Sequence, residues 1–211
     1  MPSPETVTAT VAREFVAAAE ERGLTVATAE SLTAGRIAAT IADVPGASAV
    51  LRGGLIVYAT DLKGTLAGVD ADLLDRVGPV HPEAAAQLAR GAARVCGADL
   101  GVGVTGVAGP DAQDGHPVGE VYIAVSVFAQ ADCPDQGTVV HRLDDRWHPP
   151  AQDIGAREAI RRATTIRALE LLTELLGELL TTQVEGGLEL KGNKPAPTSV
   201  GDGDGKAHFG P

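Results

Sequence analysis

The sequence predicts a three-layer α/β/α domain with a mixed sheet and a long C-terminal helix. Three observations predict it. Helical and strand-like segments alternate through the first half, the pattern of a sheet covered on both faces. Two strand-like segments, residues 120–128 and 137–143, then follow with no helix between them, which makes the sheet mixed. Residues 154–180 close the fold, with Ile160, Ala163, Leu171, Leu175 and Leu179 near helical spacing.

The elements follow in order. Ser3-Pro4-Glu5 opens the first helix with a cap, a proline and an acid at its positive end. Val7, Val11, Phe15 and Ala18 give it an apolar face, and Arg22-Gly23 ends it. Residues 24–29 read as a buried strand and Arg36–Ala42 as a short helix. Residues 44–48 read as a loop holding Ser48, and residues 55–58 as a strand introduced by Gly53-Gly54. Residues 61–66 make one or two helical turns, residues 70–76 a short helix, and Pro82–Cys96 an alanine-rich one. Residues 100–104 are a strand of small and β-branched residues. A loop rich in Gly, Pro and Asp spans 105–119, and an irregular connection spans 144–153. Beyond residue 184 periodicity is lost, so residues 1–184 read as one domain and 185–211 as a disordered tail.

Composition narrows the function. A hydrophobic content of 44% builds a core, but aromatics are only 3%, so it is one of Ala, Val, Leu and Ile. A net charge of -11 argues against nucleic-acid backbone binding, though local arginines can still hold a small anion. Cys96 and Cys133 form no CxxC motif. No apolar run approaches the ~18 residues of a membrane span. The N-terminus has neither a basic region nor an apolar signal core, so a cytoplasmic location is expected. None of the five histidines pairs at metal-ligand spacing, so no metal or other cofactor is expected.

Chemistry gathers where residues 28–35 join a strand to a helix. Ser31 there is either a helix cap or a nucleophile beside backbone N–H groups that stabilise negative charge. A serine nucleophile needs a base, and lysine can serve. Lys63, Lys191, Lys194 and Lys206 are the lysines, and Lys63 alone lies inside the predicted domain. It is either a surface residue or that base. The base role demands burial or a neighbouring cation that lowers its pKa from ~10.4. Ser48 is a turn hydroxyl, a proton relay or a second candidate nucleophile. Tyr58 stacks on a flat ring or simply packs, and Thr105 with Gly106 opens a loop able to cradle an anion. Arg157 and Arg161, four apart on one helix face, hold a phosphate or pair with acids such as Glu158.

Taken together, four segments resemble the CinA C-terminal domain family, the nicotinamide-nucleotide amidases. They are residues 29–35, residues 53–58 with Lys63 five residues on, residues 104–110 with Pro117-Val118-Gly119, and residues 155–161. The resemblance spans about residues 7–180. It implies hydrolysis of the carboxamide of nicotinamide mononucleotide to nicotinate mononucleotide and ammonia, by a Ser31–Lys63 pair in a homodimer. Thr33, Gly35 and Thr105 would help hold the oxyanion, and Tyr58, Gly106, Arg157 and Arg161 the substrate. The chain departs from the family's usual Cys-Thr-Gly-Gly at Leu32-Thr33-Ala34-Gly35, from its Gly-rich run at residues 111–114, and from a usual Asp at Ala156. It resembles the stand-alone form, without the molybdopterin-protein-like domain of longer relatives. A non-catalytic nucleotide-binding or regulatory module is the alternative reading.

Overall fold

The computed structural model describes residues 4–127, 137–143 and 154–186. The expected connection at 144–153, and the tail beyond residue 186, lie outside the described residues. Twelve elements follow in order: α1 (Pro4–Glu21), β1 (Val26–Glu30), α2 (Arg36–Ala42), α3 (Ala47–Val50), β2 (Leu51–Ile56) and α4 (Thr60–Ala67). Then come α5 (Ala71–Val77), α6 (Pro82–Cys96), β3 (Leu100–Gly106), β4 (Val121–Val127), β5 (Thr138–Arg142) and α7 (Ile154–Gly186).

The five strands form one sheet in the order β2-β1-β3-β4-β5. β2, β1 and β3 run parallel, and β4 and β5 are antiparallel additions. Strand alternation sorts the side chains between two layers of helix. Val26, Leu100, Val102 and Val104 pack with α1, α2 and α7, while Ala27 and Ala29 pack with α4, α5 and α6. The mixed three-layer fold is therefore present as expected.

Small residues set the spacing of the second layer. A Cβ on Gly103 would lie 2.4 Å from both Ala85 O and Ala89 N, and one on Gly101 would overlap Ala89 O. Only glycine lets the alanine-rich α6 lie that close to β3. The first layer is bulkier. α1 buries Ala12, Phe15, Val16 and Ala19, while Val11 and Ala18 of the expected stripe are only partly buried.

Among the boundaries that differ from expectation, two bear on the packing. β2 begins at Leu51 and contains Gly53 and Gly54 rather than starting after them. A Cβ on Gly54 would sit 2.5 Å from the Thr28 hydroxyl of β1, so this glycine permits a close approach inside the strand. The expected loop at 44–48 holds the start of α3, entered through Gly46 at φ 93.

Order 2-1-3 places a switch point between β1 and β3. From β1 the chain moves through α2 and α3 to β2, on the α1 side. From β2 it crosses the other face through α4, α5 and α6 to β3. Ligands of open α/β sheets bind outside the carboxyl ends of strands at such a point.

Candidate functional site

The carboxyl ends of β1, β2 and β3 deliver Ser31, Tyr58 and Thr105-Gly106 to one cavity of about 100 Å³. Leu32, Thr60, Lys63, Pro79, Val80, Asp111 and Arg157 also line it. Ser31 is 8% exposed and Lys63 only 2%.

Lys63 is not a surface lysine. It lies in the first turn of α4, seven residues after β2 ends, and its ammonium donates to the carbonyls of Val57 (2.9 Å) and Tyr58 (3.3 Å). Burial pushes its pKa down to about 8, with Asp61 partly offsetting the shift. A neutral lysine amine has two N–H donors and one lone pair. With both donors spent on these carbonyls, the lone pair is the free valence left for the cavity. Among the described residues no hydrogen bond joins Lys63 to Ser31; the two share the cavity wall.

The Ser31 loop is shaped from both ends. Ser31 N–H donates to Val104 O, Ala34 N–H to Ser31 O, and Arg36 N–H to Thr33 O. The N–H groups of Leu32, Thr33 and Gly35 take no backbone acceptor among the described residues. Ala34 and Gly35 both have positive φ, 52° and 90°, which turn the chain into α2. The Thr33 hydroxyl is buried and has no hydrogen-bond partner among the described residues.

The α2 N-terminus is already occupied. Glu30, fully buried, accepts from Ile37 N–H (3.1 Å) and Ala38 N–H (2.9 Å). Negative charge at the site therefore has the loop N–H groups available and not the first turn of α2. Sequence reasoning gave Glu30 no role, leaving it in the junction just past a strand of residues 24–29. The available signal was a carboxyl residue at the end of a run of small and apolar residues, six residues before the helix it caps.

Other expected residues divide. Tyr58 sits at the cavity rim, 54% exposed, and its hydroxyl accepts from Arg157 (2.7 Å). Arg157 also donates to Gly109 O, so its two hydrogen bonds among the described residues are to uncharged oxygens. Thr105 faces the cavity, but its hydroxyl donates to Pro79 O (2.7 Å). In this arrangement its proton goes to Pro79, which leaves the oxygen an acceptor toward the cavity. Arg161 does not reach the cavity. Its guanidinium donates to Leu32 O (3.0 Å) and Thr33 O (2.9 Å), a hold on the loop that replaces the expected phosphate contact. Glu158, expected as an acid partner of these arginines, lies 3.9 Å from Arg161 and also takes a two-pronged contact from Arg36 (2.8 and 2.9 Å). These bonds, with help from Arg162, hold its carboxyl below the usual range.

Ser48 is exposed on α3, before β2, whereas Lys63 follows β2. A strand of this length spans about 20 Å. Within one chain the fold thus sets Ser48 and the amine at opposite ends of β2. Among the described residues no His, Cys, Asp and Glu group could hold a metal ion. No described helix is long and apolar enough to cross a membrane.

Comparison with known proteins places this arrangement. The CinA C-terminal domain family model matches residues 8–176. A CinA-like protein of Geobacter sulfurreducens is 41% identical over 172 residues, 81% of this chain and 37% of that protein. A CinA-like protein of Frankia casuarinae is 38% identical over 164 residues, 78% of this chain and 34% of that protein. The chain thus spans about a third of the length of these relatives. The crystal structure of competence/damage inducible protein CihA from Agrobacterium tumefaciens superposes with a TM-score of 0.69 at 33% identity. That match covers 84% of this chain and 98% of the other. By sequence along most of its length, and by fold, the chain belongs to the CinA C-terminal domain family.

Proposed function

We propose that the chain is an amidohydrolase that converts nicotinamide mononucleotide to nicotinate mononucleotide and ammonia. One observation carries this reading: a buried lysine, its amine brought down to about 8, lines the same small cavity as a serine at a strand–helix junction. Neutral Lys63 takes the Ser31 proton as Oγ attacks the carboxamide carbon. Catalytic hydrogen bonds commonly tighten only when substrate seats, so the missing Ser31–Lys63 bond is compatible with this step. The N–H groups of Leu32, Thr33 and Gly35 supply donors for the oxyanion. As the tetrahedral intermediate collapses, the Lys63 ammonium returns its proton to the departing nitrogen, which leaves as ammonia. Water, deprotonated by Lys63, then cleaves the ester to the carboxylate and frees Ser31.

The cavity suits the reactive end of the substrate. At about 100 Å³ it is smaller than the ~300–1,000 Å³ that encloses a whole drug-sized ligand. The pyridinium ring enters and the ribose phosphate stays at the rim. Tyr58 offers a ring face there, and Arg157 a cation whose hydrogen bonds among the described residues go to uncharged oxygens. A cationic ring near Lys63 would favour the neutral amine further.

The test is ammonia release from nicotinamide mononucleotide by the full chain, with and without a chelator. The expected result is chelator-insensitive release, abolished in folded Ser31→Ala and Lys63→Ala. Wild-type rates in both variants defeat the Ser–Lys assignment. Mononucleotide binding with no ammonia release would favour the non-catalytic module instead.

A further inference from the structure

We propose that Arg161 is a positioning residue that aims an oxyanion donor by gripping the far side of its peptide group. The inference rests on the amidohydrolase reading above. The Leu32 carbonyl and the Thr33 N–H belong to one peptide plane and point in opposite directions across it. Arg161 Nε holds the Leu32 carbonyl at 3.0 Å, and Nη2 holds the Thr33 carbonyl at 2.9 Å. Pulling the first carbonyl toward α7 turns the Thr33 N–H away from α7. That N–H takes no backbone acceptor among the described residues, so it stays free to donate.

The grip is built to be stiff. Two adjacent carbonyls are held by two nitrogens of one planar fork, a geometry that a lysine ammonium cannot copy. Glu158, one turn back on α7, lies 3.9 Å from Arg161 and is itself pinned by Arg36, the first residue of α2. The Ser31 loop is thus clamped between α2, which follows it, and α7, which lies more than 120 residues further on. A loop holding a non-glycine residue at positive φ needs such a clamp to keep one conformation.

The experiment measures ammonia release by wild type, Arg161→Met and Arg161→Lys, with melting temperatures and with added guanidinium. The expected result is a fall in kcat of about 100-fold in Arg161→Met, the loss typical of one misplaced oxyanion donor. KM stays within about twofold, guanidinium restores part of the rate, and Arg161→Lys falls between. Arg161→Met retaining a third or more of wild-type kcat overturns the inference and leaves the amidohydrolase reading standing. Rate losses that track a lowered melting temperature in both variants, without guanidinium rescue, also overturn it, because they mark a merely structural arginine. A folded wild type that releases no ammonia sinks the amidohydrolase reading and the oxyanion role with it.

Discussion

Replacing Glu30 tests how the Ser31 loop is held. Its carboxyl group is fully buried and accepts from two backbone N–H groups of α2. Glu30→Ala leaves both without an acceptor, and the Ile37 N–H has no route to water because Ile37 is fully buried. Hydrogen bonds to a charged group are worth about 1.5–3 kcal/mol each. The expected loss for Glu30→Ala is therefore about 3–5 kcal/mol, close to the upper range for helix-cap deletions combined with an orphaned buried donor. Glu30→Gln keeps one carbonyl acceptor but sets its amide N–H₂ against the second donor, for a loss of about 2 kcal/mol. Urea unfolding followed by circular dichroism reads both, provided the denaturant slope stays constant. The ranking wild type, then Gln, then Ala is required. If both variants stay within about 0.5 kcal/mol of wild type, the carboxyl does not cap α2 and the account of the loop falls.

Two further predictions follow from the site. With Lys63 as the base, ammonia release needs the neutral amine, so kcat/KM rises with pH about a midpoint near 8. The neutral fraction grows about tenfold between pH 7 and pH 9, and a flat initial-rate profile across that range would remove lysine from the base role. Ala34 carries a positive φ of 52° where glycine is at ease. Relief of about 1–2 kcal/mol of left-handed strain, less the greater unfolded-state entropy of glycine, gives Ala34→Gly a net gain of about 0.5–1 kcal/mol. Urea unfolding checks it, and a destabilised variant would mean the Ala34 methyl makes contacts that outweigh its strain.

The features legible in the sequence are those fixed locally. Ser31 stands at a strand–helix junction because an apolar run, a small-residue turn and a helical segment follow one another. Lys63 is singled out by composition, and its helix follows β2 closely enough to bring it to the carboxyl end of that strand. What was misread depends on distant packing. Arg157 and Arg161 look equivalent at a four-residue spacing. Yet one reaches Tyr58 and the other the Leu32 carbonyl, contacts set by how α7 lies against strands more than 90 residues earlier. Gly53-Gly54 resembled a strand boundary because glycine usually weakens strands, and the crowding by Thr28 comes from a neighbouring strand. Ser48 is only fifteen positions from Lys63, but separation along the chain does not reveal that β2 stands between them.

The proposed mechanism requires the Lys63 amine to give up its proton inside the fold. Lysine side-chain NMR titration, with lysine the only labelled residue type, reads this directly. The signals belong to Lys63, Lys191, Lys194 and Lys206, and loss of one in Lys63→Arg assigns it. This signal is expected to titrate with a midpoint of about 8, against ~10.4 for an unperturbed lysine. A midpoint at or above ~10 for the folded protein would contradict it.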